Sequence, residues 1–329
     1  MRIKLIAALA AMVVLAPLSG HAQDALKLTL TGGSPAGLWS MLGAAVDSAV
    51  RTEVPDSVIT YQTSGGGLAN VAIVSNGQAE LGIMHNIELK AAVEGEAPFR
   101  EPVKNLRALA VLYDWAPMQL VITRSFAERY GIKTVGDIID KKAPVRFAVN
   151  QRGNMVEAVN RAIFEAYGAT WEDIEAWGGQ IIYAPGGEMN NLFNDRRIDM
   201  GGNGVFVPDR RFVEASRNQD MMLLPLDEKV IQEVAAKTGA DPYVIAAGGY
   251  DWQDKSIPTV ALSAALVASA DMSEETAYQI TKALVNEIDQ VRGVHKAMSN
   301  LTPKLMPSLS LIPYHPGALR AYREAGLAE

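Results

Sequence analysis

The residues of this chain best suited to chemistry stand in three short loops, Thr31-Gly-Gly-Ser-Pro-Ala-Gly37, Thr63-Ser-Gly-Gly66 and Asn150-Gln-Arg-Gly153. Each follows a short apolar run and precedes a helix-like one, and in open α/β sheets ligands sit just outside such strand ends. A helix start presents unpaired backbone N–H groups and a positive partial charge, and glycine lets an anion come close to them. The chemistry on offer is capture of a small carboxylate or phosphate, with Gly32, Gly33, Ser34, Gly37, Thr63, Ser64, Gly65 and Gly66 as contacts from one side. Arg152 is the one cation in these loops, and its guanidinium can grip a carboxylate through two parallel bonds; a solvated loop arginine is the competing role. Asn86, Asn150, Asn154 and Asn203 stand beside predicted strand ends and offer uncharged donors and acceptors, or simply form turns. Trp39 opens the helix after the first loop, either as a pocket wall or as a core residue.

Other chemistries find little support. The absence of cysteine removes thiol nucleophiles, Cys zinc sites and disulfides, and the histidines lack metal-ligand spacing, so neither a metal nor a cofactor is expected. Gly32 to Gly37 does not follow the G-x-G-x-x-G pattern and no Gly-Lys-Ser/Thr follows it. Gln62 stands where a G-x-S-x-G nucleophile elbow needs glycine, so Ser64 reads as a helix-capping serine rather than a nucleophile. With 30 Lys+Arg against 37 Asp+Glu, a net of −7, the chain carries no basic footprint for nucleic acid. The pairs Arg196-Arg197 and Arg210-Arg211 read as solvated faces or a docking patch.

The elements that must position these loops repeat one grammar. Leu26 to Leu30, Val58 to Gln62 and Leu81 to Met84 read as strands, with helices over Leu38 to Arg51 and Gly67 to Ser75, the latter stopped by Asn76-Gly77. Leu106 to Leu112 and Met118 to Thr123 are apolar runs flanking Asp114-Trp115-Ala116-Pro117, a passage between two lobes. The grammar then restarts with a strand at Val145 to Val149, a helix from Asn154 to Tyr167 and strands at Gln180 to Tyr183 and Asp199 to Gly202. Thr259 to Ser269 carries the chain back, and Ser273 caps a long helix toward Arg292. Such alternation predicts mostly parallel sheets with helices on both faces.

At the N-terminus Arg2 and Lys4 precede a 14-residue uncharged run, Leu5 to Leu18, and Gly20-His21-Ala22 supplies a small-x-small cleavage site. The run is too short for an ordinary membrane span, so residues 1–22 are expected to be a signal peptide cleaved before Gln23. The mature chain, with 28 basic and 37 acidic residues, a net of −9, belongs in the periplasm without direct membrane insertion.

Several segments together resemble the TAXI family of solute receptors serving TRAP transporters. They are Thr31-Gly-Gly-Ser-Pro-Ala-Gly37, Thr63-Ser-Gly-Gly-Gly-Leu-Ala-Asn70, Gly77-Gln-Ala-Glu-Leu-Gly-Ile83, and Ile312-Pro-Tyr-His-Pro-Gly-Ala318 followed by Tyr322-Arg-Glu-Ala-Gly326. The resemblance implies an α/β, two-lobed periplasmic binding protein fold of the type II kind, each lobe a mostly parallel sheet flanked by helices, joined by a hinge. Lobe 1 is expected from 23–115 and 262–329, lobe 2 from 116–261. It implies binding rather than catalysis: capture of a small organic anion, often a dicarboxylate or an acidic amino acid, and delivery to TRAP permease subunits. A receptor for an ATP-driven importer or a sensor, or a secreted enzyme, are the alternatives. The chain departs from the family at Asn150-Gln-Arg-Gly-Asn154, where a Gly-Ser-Gly-Thr type of loop is usual, and at Leu38-Trp39-Ser40, where paired tyrosines and proline are common.

Overall fold

The computed structural model describes residues 24–328 except 34, 36 and 153, so the expected signal peptide and the Ser34 contact lie outside the described residues. The first run of elements is β1 (Lys27–Thr31), α1 (Leu38–Glu53), β2 (Val58–Gln62), α2 (Gly67–Ser75), β3 (Leu81–His85), α3 (Asn86–Glu94) and β4 (Leu106–Thr123). There follow α4 (Arg124–Tyr130), α5 (Val135–Asp140), β5 (Arg146–Val149), α6 (Met155–Ala166), α7 (Trp171–Ala176), β6 (Gln180–Tyr183), α8 (Gly186–Asn194) and β7 (Met200–Gly204). The chain continues through α9 (Arg210–Ser216), β8 (Met221–Leu223), α10 (Glu228–Thr238), β9 (Asp241–Ile245) and β10 (Ile257–Ser269). It ends in α11 (Glu274–Asn286), α12 (Ile288–Arg292), a 3-10 turn at Lys296–Asn300 and α13 (Pro316–Glu324).

The strand order is β2-β1-β3-β10-β4-β7-β5-β6, with β8 added on β4 and β9 on β10. Each half holds a parallel set of three, β2-β1-β3 and β7-β5-β6. The two long strands run against these sets: β10 is antiparallel to β3, and β4 is antiparallel to β7. What the sequence shows as two apolar runs is one 18-residue strand, β4, buried along almost its whole length with only Asp114 exposed. Its first part pairs with β10 and its second with β7 and β8, and the β4–β10 register shifts between Leu262 and Ala265. The passage around Asp114 to Pro117 is thus where one sheet hands over to the next.

Local patterning explains the helices. In α1 the buried Trp39, Leu42, Val46 and Val50 recur at helical spacing and face the sheet. Asn154 caps α6 by accepting the Val156 N–H at 2.8 Å, and Ser273 caps α11 by accepting the Thr276 N–H at 3.0 Å. The long helix expected from Ser273 toward Arg292 breaks at Glu287, which ends α11 and begins α12.

The C-terminal Ile312-Pro-Tyr-His-Pro-Gly-Ala318 segment is architectural. Backbone bonds pair Ala108 of β4 with Pro313 and His315, at 3.0 and 2.9 Å, and the Tyr322 hydroxyl donates to the Leu109 carbonyl at 2.6 Å. His315 Nδ1 accepts the Gly317 N–H, so its Nε2–H donates to the Met272 carbonyl at 3.0 Å, and burial pushes its pKa below the ordinary value. A Cβ on Gly317 would lie 2.0 Å from the Glu274 carbonyl oxygen, so only glycine lets α13 seat on the start of α11. Among the described residues no helix is long and apolar enough to cross a membrane.

Candidate ligand-binding cleft

Five helix starts face a cleft of about 510 Å³ at the ends of the parallel strands: those of α1, α2 and α3 from the first half and of α6 and α9 from the second. Tyr113 and Ala116 of β4 lie between the two groups. Of the residues singled out by sequence, Gly33, Gly37, Trp39, Gly66, Asn150, Asn154 and Asn203 line this cleft.

The first two loops are held together from behind. Asn70 of α2, fully buried, donates to the Ile83 carbonyl at 2.7 Å and accepts from the Thr31 hydroxyl at 2.9 Å. Ser64 Oγ accepts the Gly66 N–H at 3.0 Å and bonds to Asn70 Oδ1 at 2.6 Å and to the Gly32 carbonyl. This hydroxyl is spent on loop geometry, as a capping serine would be. Gly66 sits at φ 109°, ψ −166°, open only to glycine, and α2 starts there without a side-chain cap. A Cβ on Gly32 would meet the Tyr61 ring at 2.6 Å, and the Tyr61 hydroxyl donates to the Gly33 carbonyl at 3.1 Å. Gly32, Thr63, Ser64 and Gly65 therefore shape the loops rather than line the cleft.

On the opposite side three asparagines line the cleft, each with its side-chain oxygen already accepting a hydrogen bond. Asn150 Oδ1 accepts the Gln151 N–H at 2.7 Å and Asn154 Oδ1 accepts the Val156 N–H, which fixes the orientation of both amides. Asn150 Nδ2 must then donate to Asn203 Oδ1, at 3.3 Å. With all three oxygens engaged, these side chains offer a ligand N–H donors. Arg152 does not line the cleft: its guanidinium lies over the Tyr183 ring, 3.9 Å from the centroid, at the rim formed by the ends of β5 and β6.

The cleft also contains residues that sequence reasoning passed over. Tyr113 accepts the Trp39 Nε1–H at 3.1 Å, and its hydroxyl lies 3.3 Å from His85 Nε2. Burial, first of all, holds the Tyr113 pKa far up; the Trp39 bond pulls it down and the Glu88 charge adds to the rise. A phenol that stays protonated donates to Nε2, so His85 Nδ1 carries its hydrogen toward Glu88, 3.1 Å away. Glu88 also accepts the His85 backbone N–H at 2.6 Å, so its carboxylate ties down the start of α3. His85 closes a strand directly ahead of Asn86, and that position was its one signal. Tyr113 is hidden in an apolar run, and Glu88 looks like any exposed helix charge.

The ionised groups on the second side are mutually paired. Arg211 forms a two-bond clamp on Asp209, at 2.9 and 2.7 Å, and Arg210 bonds to Glu214 at 2.7 Å. Asn86 faces elsewhere, into a separate cavity of about 270 Å³, where it donates to the Gly239 carbonyl at 2.7 Å and to Asp241 at 3.1 Å. Asp114 shares that cavity, and although both carboxyls keep an exposed edge, partial desolvation raises the pKa of each, with Asp114 adding to the rise at Asp241. Among the described residues no group of three or more His, Asp or Glu side chains is arranged to hold a metal ion.

A family model described as the NMT1-like family matches residues 30–326. The chain belongs to the NMT1-like family. Solved structures with the same fold include MatC from Rhodopseudomonas palustris with bound malate, at 13% identity and TM-score 0.55, covering 92% of this chain and 96% of that one. PhnD1 from Prochlorococcus marinus in complex with methylphosphonate aligns at 10% identity and TM-score 0.56, covering 92% and 98%. A TctC solute binding protein from Polaromonas aligns at 12% identity and TM-score 0.51, covering 83% and 88%. This NMT1-like chain thus has the two-lobed α/β fold of periplasmic solute-binding proteins.

Proposed function

We propose that this NMT1-like protein is a periplasmic receptor of the TAXI kind that captures a small organic anion and delivers it to the permease subunits of a TRAP transporter. Binding, not catalysis, is its task. The observation that carries the reading is the engagement of the asparagine oxygens at Asn150, Asn154 and Asn203 in a cleft that the uncapped start of α1 also lines, which leaves amide N–H groups as the donors. Such donors suit a carboxylate, although Glu88 and Asp209 also line the cleft and the mature chain carries a net of −9. Local dipoles outweigh distant surface charge because salt screens the latter within about 8 Å at physiological strength.

In this reading residues 23–115 with 262–329 form one lobe and 116–261 the other, and the lobes close about β4 and β10, with differential affinity for the closed form driving the shift. Gly33, Gly37, Trp39 and Gly66 contact the anion from the first lobe, and Asn150, Asn154 and Asn203 from the second. Arg152 leaves Tyr183 and joins its carboxylate on closure. The spent Ser64 hydroxyl supports a receptor over a hydrolase, and the Arg2 to Ala22 pattern supports export with Gln23 as the first mature residue.

The test is a thermal melt of the exported protein against small carboxylates, sugars and amines, with N-terminal sequencing of the material used. A ligand at a hundredfold excess over Kd stabilises by about 2.7 kcal/mol, so a carboxylate should raise Tm by several degrees and remain chemically unchanged. Stabilisation by sugars or amines alone removes the anion reading.

A further inference from the structure

We propose that the anion held in this cleft is an aromatic monocarboxylate. The inference rests on the anion-receptor reading above and departs from the dicarboxylate class that the resemblance implies. Two features of the cleft carry it, a continuous row of rings and the pairing of its charges.

Trp39, His85, Tyr113, Phe206 and His295 all line the cleft, and each ring contacts the next. Their centroids are spaced 4.7 Å from Trp39 to His85, 6.4 Å to Tyr113, 5.0 Å to Phe206 and 5.5 Å to His295. The row begins at the start of α1, crosses β4 at Tyr113 and reaches the segment after β7 at Phe206. Behind it, Trp115 stacks on Phe206 at 6.3 Å and 26°, and Gln119 donates to the carbonyls of Val205 and Phe206 at 2.8 and 3.2 Å. Trp39, Tyr113 and Phe206 are each at least nine-tenths buried by their neighbours, so the row is set before a ligand arrives. Aromatic groups pack on such rings edge to face or offset, beyond what area burial alone supplies.

The charges allow one carboxylate and oppose a second. Arg211 is clamped by Asp209 through two bonds, and Arg210, bonded to Glu214 through Nε alone, is among the described residues the one exposed guanidinium lining the cleft, a single countercharge for a single carboxylate. Glu88 places a buried carboxylate directly against Gly67 at the start of α2, where it repels further negative charge deep on the first-lobe side. The remaining donors cluster on the second lobe at Asn154 and Asn203, and Asn203 stands only three residues before Phe206 on one segment. A carboxylate on the Asn203 amide therefore places its body over the ring row, and a cleft of about 510 Å³ lies within the size range of small-molecule sites.

The test is calorimetric titration of the mature protein with benzoate, trans-cinnamate, succinate, L-glutamate and benzamide, followed in parallel by the change in tryptophan fluorescence that Trp39→Phe removes. Benzoate or cinnamate should bind at least about tenfold more tightly than succinate or glutamate, as one added ring contact supplies. Tighter binding of succinate or glutamate overturns the aromatic assignment and leaves the anion reading standing. Equal binding of benzamide and benzoate overturns the anion reading instead, and binding of none of the five overturns both. Phe206→Leu should cost cinnamate about tenfold in a protein that still unfolds cooperatively at a somewhat lower Tm; an unaltered cinnamate affinity in that variant overturns the role of the ring row.

Discussion

The carboxylate of Glu88 fills the space that a side chain on Gly67 would need: a Cβ there would lie 2.2 Å from Glu88 Cδ. Glycine at the first position of α2 is thus required by a residue on α3, and the pair joins the second loop to the Tyr113–His85–Glu88 chain. Gly67→Ala should displace that carboxylate and destabilise the protein by about 2 kcal/mol, a fall in Tm of about 3 °C. In a Glu88→Ala background the same substitution should cost far less, because its clash partner is gone. Denaturation of the two singles and the double reads the coupling directly, and additive losses would show the contact to be unimportant.

Asn203→Asp keeps the oxygen that accepts from Asn150 but replaces the amide N–H donor of this cleft-lining residue with negative charge. The fold should survive and anion affinity should fall at least about tenfold, since a hydrogen bond to a charged group contributes ~1.5–3 kcal/mol. Calorimetry with the best carboxylate measures this; unchanged affinity would place the anion elsewhere.

Arg152 tests the closed state. If its guanidinium moves from Tyr183 onto the ligand, Arg152→Ala should cost about 2 kcal/mol or more, and Arg152→Lys should not restore the two-bond grip. Tyr183→Leu, which removes only the resting stack seen at 3.9 Å, should leave affinity within about twofold. Equal affinity in all three proteins would make Arg152 a rim residue with no ligand contact.

Asp114 and Asp241 share the smaller cavity with pKa values raised chiefly by burial. A carboxyl whose pKa is higher in the fold than in the unfolded chain binds more protons when folded. Its favourable contribution is complete below the usual value of 3.8 and is lost as pH rises through the raised folded value. Asp114→Asn removes that loss, so its Tm should exceed the parent's at pH 7 and match it near pH 4. A benefit that grows on acidification would reverse the assigned sign.

The sequence by itself determined the elements whose signals are local. Val58 to Gln62, Gly67 to Ser75 and Gln180 to Tyr183 have the bounds expected from alternation and turn residues, and Asn154 and Ser273 cap their helices as their side-chain chemistry dictates. The three glycine loops were legible for the same reason, because each is a strand end followed within a few residues by a helix start. What only the tertiary structure decided depends on residues far apart in the chain. β4 is one strand because β10 and β7 pair with its two ends, and nothing within residues 106–123 specifies those partners. Asn86 looked equivalent to Asn150 and Asn203, yet its contacts to Gly239 and Asp241, more than 150 residues away, turn it into another cavity. The donors presented by Asn203 exist because Asn150 has consumed its oxygen, and the ring row from Trp39 to His295 spans most of the chain. Periodicity reports which face of an element is buried, but it carries no information on which distant side chain will meet it there.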